Sequence, residues 1–262
     1  MGQVGAALNS LLGHVGSALQ VRHSSELRVR QFVADASHEL RTPLASILGY
    51  AELSRRHEQS LPSDVSHALK RMQSEARRMT SLVEDLLLLA RLDAGRPLQA
   101  APVDLSMLVV DAVGDAHAAG PEHVWRLELP DEPVVVTGDA ARLHQVIANL
   151  LSNARTHTPA GTIVTASVRT QPGTSAVLAV LDDGPGVPTA ALPTIFERFT
   201  RADTSRSRTA GSTGLGLAIV TAVVQSHGGT VEVTSRPGQT AFFVNLSLTP
   251  VEERPLQRRG QA

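Results

Sequence analysis

The string Asp35-Ala36-Ser37-His38-Glu39-Leu40-Arg41-Thr42-Pro43-Leu44 puts an imidazole, a carboxylate and a hydroxyl within two helical turns. A neutral imidazole is a nucleophile at physiological pH, and an adjacent carboxylate can orient the ring and favour the tautomer with a free lone pair. His38, Glu39 and Thr42 are therefore the candidate catalytic residues of the first third of the chain. A lone exposed histidine, one of ten in the chain, could equally be part of a solvated helix face. A zinc-protease motif is excluded, because the second histidine it needs would stand at position 42, which is Thr42.

Three further motifs follow in order. In Asn149-Leu150-Leu151-Ser152-Asn153-Ala154 two amides lie four residues apart, on one face of a helix. An amide carbonyl can ligate Mg²⁺, which prefers oxygen donors; two such residues could also be an ordinary helix surface or C-cap. In Asp182-Asp183-Gly184-Pro185-Gly186-Val187 a carboxylate ends an apolar run. It can accept a hydrogen bond from an exocyclic amine such as that of adenine, while Gly184 and Gly186 let backbone approach a ring. The plain alternative is a turn. In Gly211-Ser212-Thr213-Gly214-Leu215-Gly216-Leu217, small residues open a helix and present backbone N–H groups suited to phosphate. No Gly-Lys-Ser/Thr follows, so this is not a P-loop; the third glycine of a dinucleotide fingerprint is also missing.

The elements that carry these residues can be read from periodicity. Val29, Val33, Ala36, Leu40, Pro43, Ile47 and Tyr50 recur at 4/3 spacing, as do Val65, Leu69, Met72, Ala76, Met79, Val83, Leu86 and Ala90. With these seams at the core positions of a heptad, His38 and Thr42 fall on the outer face. Pro43 bends the helix just beyond the histidine. The break at Glu58 to Ser63 makes an antiparallel hairpin whose seam only a second copy would cover, so residues 23–93 predict a homodimeric four-helix bundle. Ala94-Gly95-Arg96-Pro97 reads as a linker. From 98 to 250 the pattern changes. Short β-branched runs at Val134–Val136, Ile163–Val168, Val177–Leu181, Val231–Val233 and Phe242–Leu248 alternate with helical patterns at 105–118, 139–156 and 213–227. That predicts an α/β sandwich, one sheet with helices on one face. The polar segment Val251 to Ala262 reads as a disordered tail.

Bulk properties exclude other classes. The formal net charge of −1 offers no reason for nucleic acid or an anionic membrane surface. With no cysteine there is neither disulfide nor thiolate metal site. No apolar run reaches 18 residues, and no signal peptide is recognisable at the amino terminus.

Taken together, the ten-residue string and the three later motifs resemble sensor histidine kinases of two-component systems. The first string is similar to their H-box. The later three are similar to the asparagine and two glycine boxes of the GHKL ATP-binding fold, with Ile195-Phe196-Glu197-Arg198-Phe199 between them resembling the F-box. The resemblance implies that His38 is phosphorylated from ATP, that Glu39 assists as acid or base, and that Thr42 positions water when the same protein dephosphorylates its partner, a response regulator receiver domain. It implies that Asn149 and Asn153 face the phosphates, with Asn153 on Mg²⁺. Asp182 would read adenine, while Gly184, Gly186, Thr213, Gly214, Leu215 and Gly216 line the site. Arg198 and Arg201 would contact phosphate, and a lid would span 187–213. Two positions depart from the pattern. Thr156 stands where the family has a basic residue, leaving Arg155 or His157 to supply that contact, and Ser212 replaces a usual glycine. A silent ATP-binding scaffold and a GHKL ATPase without phosphotransfer are the alternatives. Residues 1–22 resemble the end of a HAMP linker, which implies a longer, membrane-anchored receptor acting on the cytoplasmic side.

Overall fold

The computed structural model describes residues 43, 45–50, 54, 63–95, 98–171, 175–200 and 213–248. His38, Glu39, Thr42, Arg201, the HAMP-like stretch, the first part of the first seam, most of the expected lid and the carboxy-terminal tail lie outside them. The chain divides into two compact units, Met1–Arg96 and Pro97–Ala262.

In the first unit, residues 45–50 are helical and α1 spans Ser63–Asp93. Asp64 in its first turn and Arg91 in its last oppose the helix dipole favourably. The second seam splits in two along this helix. Leu69, Ala76, Val83 and Ala90 are buried or half-buried, whereas Val65, Met72 and Met79, spaced by sevens, are exposed, Met72 by 56%. One stripe of the heptad is thus covered within the chain; the other is exposed at Val65, Met72 and Met79 and half-buried at Leu86.

The second unit is built on two sheets. β1 (Ala101–Asp104) pairs antiparallel with β3 (Val135–Gly138). The larger sheet runs β2 (Val124–Glu128), β4 (Ile163–Gln171), β5 (Ser175–Asp182), β7 (Gln239–Ser247), β6 (Thr230–Arg236), with β2 and β4 parallel and the other neighbours antiparallel. Period-two burial of Val164, Ala166 and Val168, of Ala176, Leu178 and Val180, and of Phe242, Val244 and Leu246 gives the sheet one apolar face. Three helices bring matching apolar stripes: α2 (Leu105–Ala119), α3 (Ala140–His157) and α4 (Gly216–Ser226). On α3 the stripe is Leu143, Val146, Ile147, Leu150, Leu151 and Ala154, all buried. Fully burying one such leucine contributes roughly 1.5–3 kcal/mol. The helices pack side by side, α3 between α2 and α4.

Three expectations need correction. The sequence predicted one sheet in this unit, and its described residues form two. β1 and β2 were not foreseen: β1 is four residues long with only Val103 buried, and β2 is an edge strand whose residues are mostly exposed, so neither carries an apolar run. The third helix begins at Gly216 rather than 213, because Thr213 Oγ1 accepts the Leu215 N–H (3.3 Å) and holds those residues in a turn.

Candidate nucleotide site

The site forms where α3, the start of α4 and the loop after β5 meet. Asp139 caps α3 by accepting the Arg142 N–H (3.2 Å). At about 100° per residue, Asn149, Asn153, Thr156 and His157 share one face of this helix, and Arg155 lies on the far side. The structure follows this division. Asn149 Nδ2 donates to the Gly216 carbonyl (3.3 Å), tying α3 to the first residue of α4. A Cβ on Gly216 would make only ordinary contact, 3.7 Å from Asn149 Oδ1, so the packing here does not itself demand glycine. Asn153 is half-buried one turn on, and its amide makes no hydrogen bond among the described residues. His157 is exposed in the last turn. Arg155 does not join them. Its stem packs over Gly120, where an added Cβ would lie 2.5 Å from Arg155 Cδ.

Asp182 ends β5 between Val164 of β4 and Thr240 of β7. It is buried, and its Oδ1 accepts the Gly184 N–H (3.0 Å), while its other oxygen makes no hydrogen bond among the described residues. Burial raises its pKa, the Gly184 bond opposes that, and the neighbouring Asp183 charge adds to it. Asp183 fixes the loop instead of facing the site, accepting the Ile163 N–H on Oδ1 (2.8 Å).

The glycines here are positional requirements. A Cβ on Gly184 would lie 2.6 Å from Thr158 Cγ2 and 2.8 Å from Asp182 Oδ1. Gly186 has φ +83° and sits against the Arg236 carbonyl, where a Cβ would come within 2.7 Å. The Gly238 N–H bonds the Gly184 carbonyl (2.9 Å), so the β6–β7 turn braces this loop.

At the other side, Gly214 (φ +70°) accepts the Phe199 N–H (2.8 Å), with Phe199 itself at φ 61°. Leu215 is fully buried and anchors the turn; its N–H is committed to Thr213, so it serves the site only by position. No side chain caps α4, which leaves the N–H groups of its first turn available to an anion. Phe196 packs edge-on against core Phe242 (6.3 Å), and Arg198 is exposed beside it in sequence.

Sequence reasoning missed several supporting residues. Thr158 wedges against Gly184 while its Oγ1 donates to the Ala154 carbonyl (2.7 Å) and meets His123 Nε2 (3.0 Å). Buried Thr240 sits across from Asp182 and shares a hydrogen bond with Ser235 (3.0 Å), which accepts the Val187 N–H (2.8 Å). No sequence motif marked these residues, because their partners here, such as Gly184 for Thr158, lie far along the chain.

Comparison with known proteins accounts for this arrangement. Residues 28–95 match the His Kinase A (phospho-acceptor) domain, and residues 138–250 match the Histidine kinase-, DNA gyrase B-, and HSP90-like ATPase. The chain belongs to the sensor histidine kinases. The probable sensor histidine kinase TcrY of Mycobacterium tuberculosis is 62% identical over 97% of this chain and 54% of its own length. The sensor histidine kinase TrcS of the same organism is 52% identical over 95% of this chain and 49% of its own length. The chain thus spans about half the length of these curated relatives. Among solved structures, full-length ShkA in complex with AMPPNP superposes with a TM-score of 0.69 at 31% identity, covering 84% of this chain and 46% of that one. The mycobacterial sensor histidine kinase MprB gives 0.51 at 29% identity, covering 58% of this chain and 99% of that one. The second unit of this histidine kinase is therefore its ATPase-type domain, preceded by the helical phospho-acceptor region. Among the described residues no helix is long and apolar enough to cross a membrane.

Proposed function

We propose that this chain is the catalytic portion of an ATP-dependent protein-histidine kinase. His38 attacks the γ-phosphorus of ATP, ADP leaves, and the phosphoryl group then passes to an aspartate of a response regulator receiver domain. The observation that carries the reading is the Asp182 carboxylate: one oxygen is held by Gly184 N–H and the other is uncommitted, at the end of a buried strand. That is an acceptor built for an exocyclic amine. The open first turn of α4 and the adjacent Asn149 supply donors for the phosphates.

The residues present fit Mg²⁺. Asn153 offers an amide oxygen with no other described use, on the face that Asn149 turns towards α4. Bound there, the ion would supply charge neutralisation on the phosphates. The chain's own groups hold and orient: Asn149 fixes the α3–α4 contact, Asp182 selects the base, and the guanidinium groups of Arg198 and Arg201 with the imidazole of His157 are assigned to the phosphates. Arg155 is the weakest of the assigned phosphate contacts, because its stem is occupied at Gly120. Glu39 orients and assists His38. Thr42 is assigned the water used in dephosphorylating the regulator. The exposed stripe of Val65, Met72 and Met79 supports a homodimer, in which a second copy covers it. The first 22 residues are assigned to the end of a HAMP linker of a membrane-anchored receptor.

Incubation with radiolabelled ATP tests the proposal. The chain should gain an acid-labile phosphate, and His38→Gln should gain none while binding nucleotide normally. Label retained by that variant would remove His38 from the reaction.

A further inference from the structure

We propose that His227 is a positioning residue for the nucleotide site: it completes the cap of α3 from the end of α4 and so fixes the register of the two helices that hold the phosphates. The inference rests on the nucleotide reading above and goes beyond it to a residue outside every motif so far considered.

His227 is the residue at the carboxy-terminal cap of α4. Its Nε2 accepts the backbone N–H of Asp139 (3.0 Å), and its Nδ1 bonds the Val223 carbonyl (2.8 Å). An amide can only donate and a carbonyl can only accept, so the ring is neutral with its proton on Nδ1. Both nitrogens are committed. The ring reaches Asp139 because the preceding residue is Gly138, where a Cβ would lie 2.6 Å from His227 Cδ2 and 2.8 Å from Nε2.

The cap of α3 has a gap that this contact fills. Asp139 serves one orphan donor through its carboxylate, on Arg142 N–H. In a capping box the N-cap's own N–H is accepted by a Glu or Gln at the third helical position. That position is Arg142, which has no acceptor and instead donates to Gln145 Oε1 (3.0 Å). The missing acceptor comes from the other helix.

The position of this bond gives it a role in the site. Asp139 and Asn149 are ten residues apart along α3, and their partners His227 and Gly216 are eleven apart, in reverse order, along α4. At about 1.5 Å per residue the two spans are roughly 15 and 16.5 Å. The antiparallel pair therefore carries two matched side-chain-to-backbone ties, one at each end. Sliding one helix by a single residue, about 1.5 Å, would break both. The phosphates must meet the first turn of α4 and the Asn149–Asn153 face of α3 together, so this register sets their fit.

The test uses the 262-residue chain, MgADP as probe, and titration calorimetry. His227→Gln returns an acceptor oxygen near the place of Nε2; His227→Leu keeps bulk and offers none. The Leu variant should bind MgADP roughly three- to tenfold more weakly, and Gln should recover to within about twofold. A long-range ¹⁵N–¹H spectrum of the wild-type ring should show the proton on Nδ1, the rarer tautomer in water. Should the Leu variant not fold, Gly138→Ala, which pushes the ring away, should reproduce the weakening. MgADP affinity unchanged in the Leu variant, or a proton found on Nε2, overturns the proposal. A wild-type chain that does not bind MgADP overturns the nucleotide reading and this inference with it; normal wild-type binding with unresponsive variants overturns this inference alone.

Discussion

Asp182→Asn should lower affinity for adenine nucleotide without lowering the stability of the fold. The amide oxygen can keep the Gly184 N–H bond, now at 3.0 Å to the carboxylate, which turns the amide NH₂ to where the second carboxylate oxygen stood. An adenine amine would then face a donor instead of an acceptor. Losing one hydrogen bond to a charged acceptor costs about 1.5–3 kcal/mol. At 1.4 kcal/mol per decade that is roughly a 10- to 150-fold weaker complex. Hypoxanthine carries a carbonyl in place of the amine, so the variant should lose far less affinity for MgIDP than for MgADP. Calorimetric titration of both nucleotides reads the ratio directly. Stability should move the other way. Burial raises the pKa of Asp182, so the folded chain holds that proton more tightly than the unfolded one; the stability this contributes is present below the ordinary carboxylate range and is lost as pH rises through the raised value. At neutral pH the buried charge opposes folding, and the neutral amide removes it. The nucleotide-free urea midpoint should be equal or higher. An Asn variant that binds MgADP within threefold of wild type, or that loses MgIDP to the same degree, would refute base recognition by Asp182.

Gly184→Ala should lose MgADP binding and about 1–3 kcal/mol of stability in urea unfolding, because the new methyl meets Thr158 and Asp182 at once. Asn153→Asp should change the Mg²⁺ dependence of nucleotide binding and leave Mg²⁺-free ADP affinity within about twofold, measured by titration with and without chelator. Asp85, half-buried on α1, has its pKa pushed up to about 6 by burial and by the Glu84 charge. Stability from its proton is therefore present below 3.8 and lost as pH rises through about 6. Asp85→Asn should raise the melting temperature at pH 7.5 and narrow its fall between pH 4 and 7.

Much of the core was legible because burial imposes periodicity. The α3 stripe from Leu143 to Ala154 and the alternation in β4, β5 and β7 follow directly from the side of each element that faces the interior. The glycine motifs were legible because only a residue without Cβ fits at Gly184 or at Gly186, where φ is also positive. What was hidden has a common cause. β1 pairs only with β3 in a small sheet, and β2 lies on an edge, so neither carries the apolar run that marks a buried strand. Thr158, Thr240 and His227 were hidden because their roles depend on partners 26 to 88 residues away, such as Gly184 for Thr158 and Asp139 for His227. Spacing along the chain could not reveal that Arg155 turns towards Gly120, although its offset from Asn153 by two residues already placed it on the other side of the helix.

The small sheet has a consequence for how such proteins are assembled from parts. Val136 pairs with Val103 on one side and bridges Leu248 on the other. With neighbouring strands about 4.8 Å apart, Val103 near the start of the second unit and Leu248 at the end of its described residues lie roughly 10 Å from each other. A unit whose ends lie together can be spliced into a foreign polypeptide, or have its termini joined and reopened elsewhere, without pulling its sheet apart.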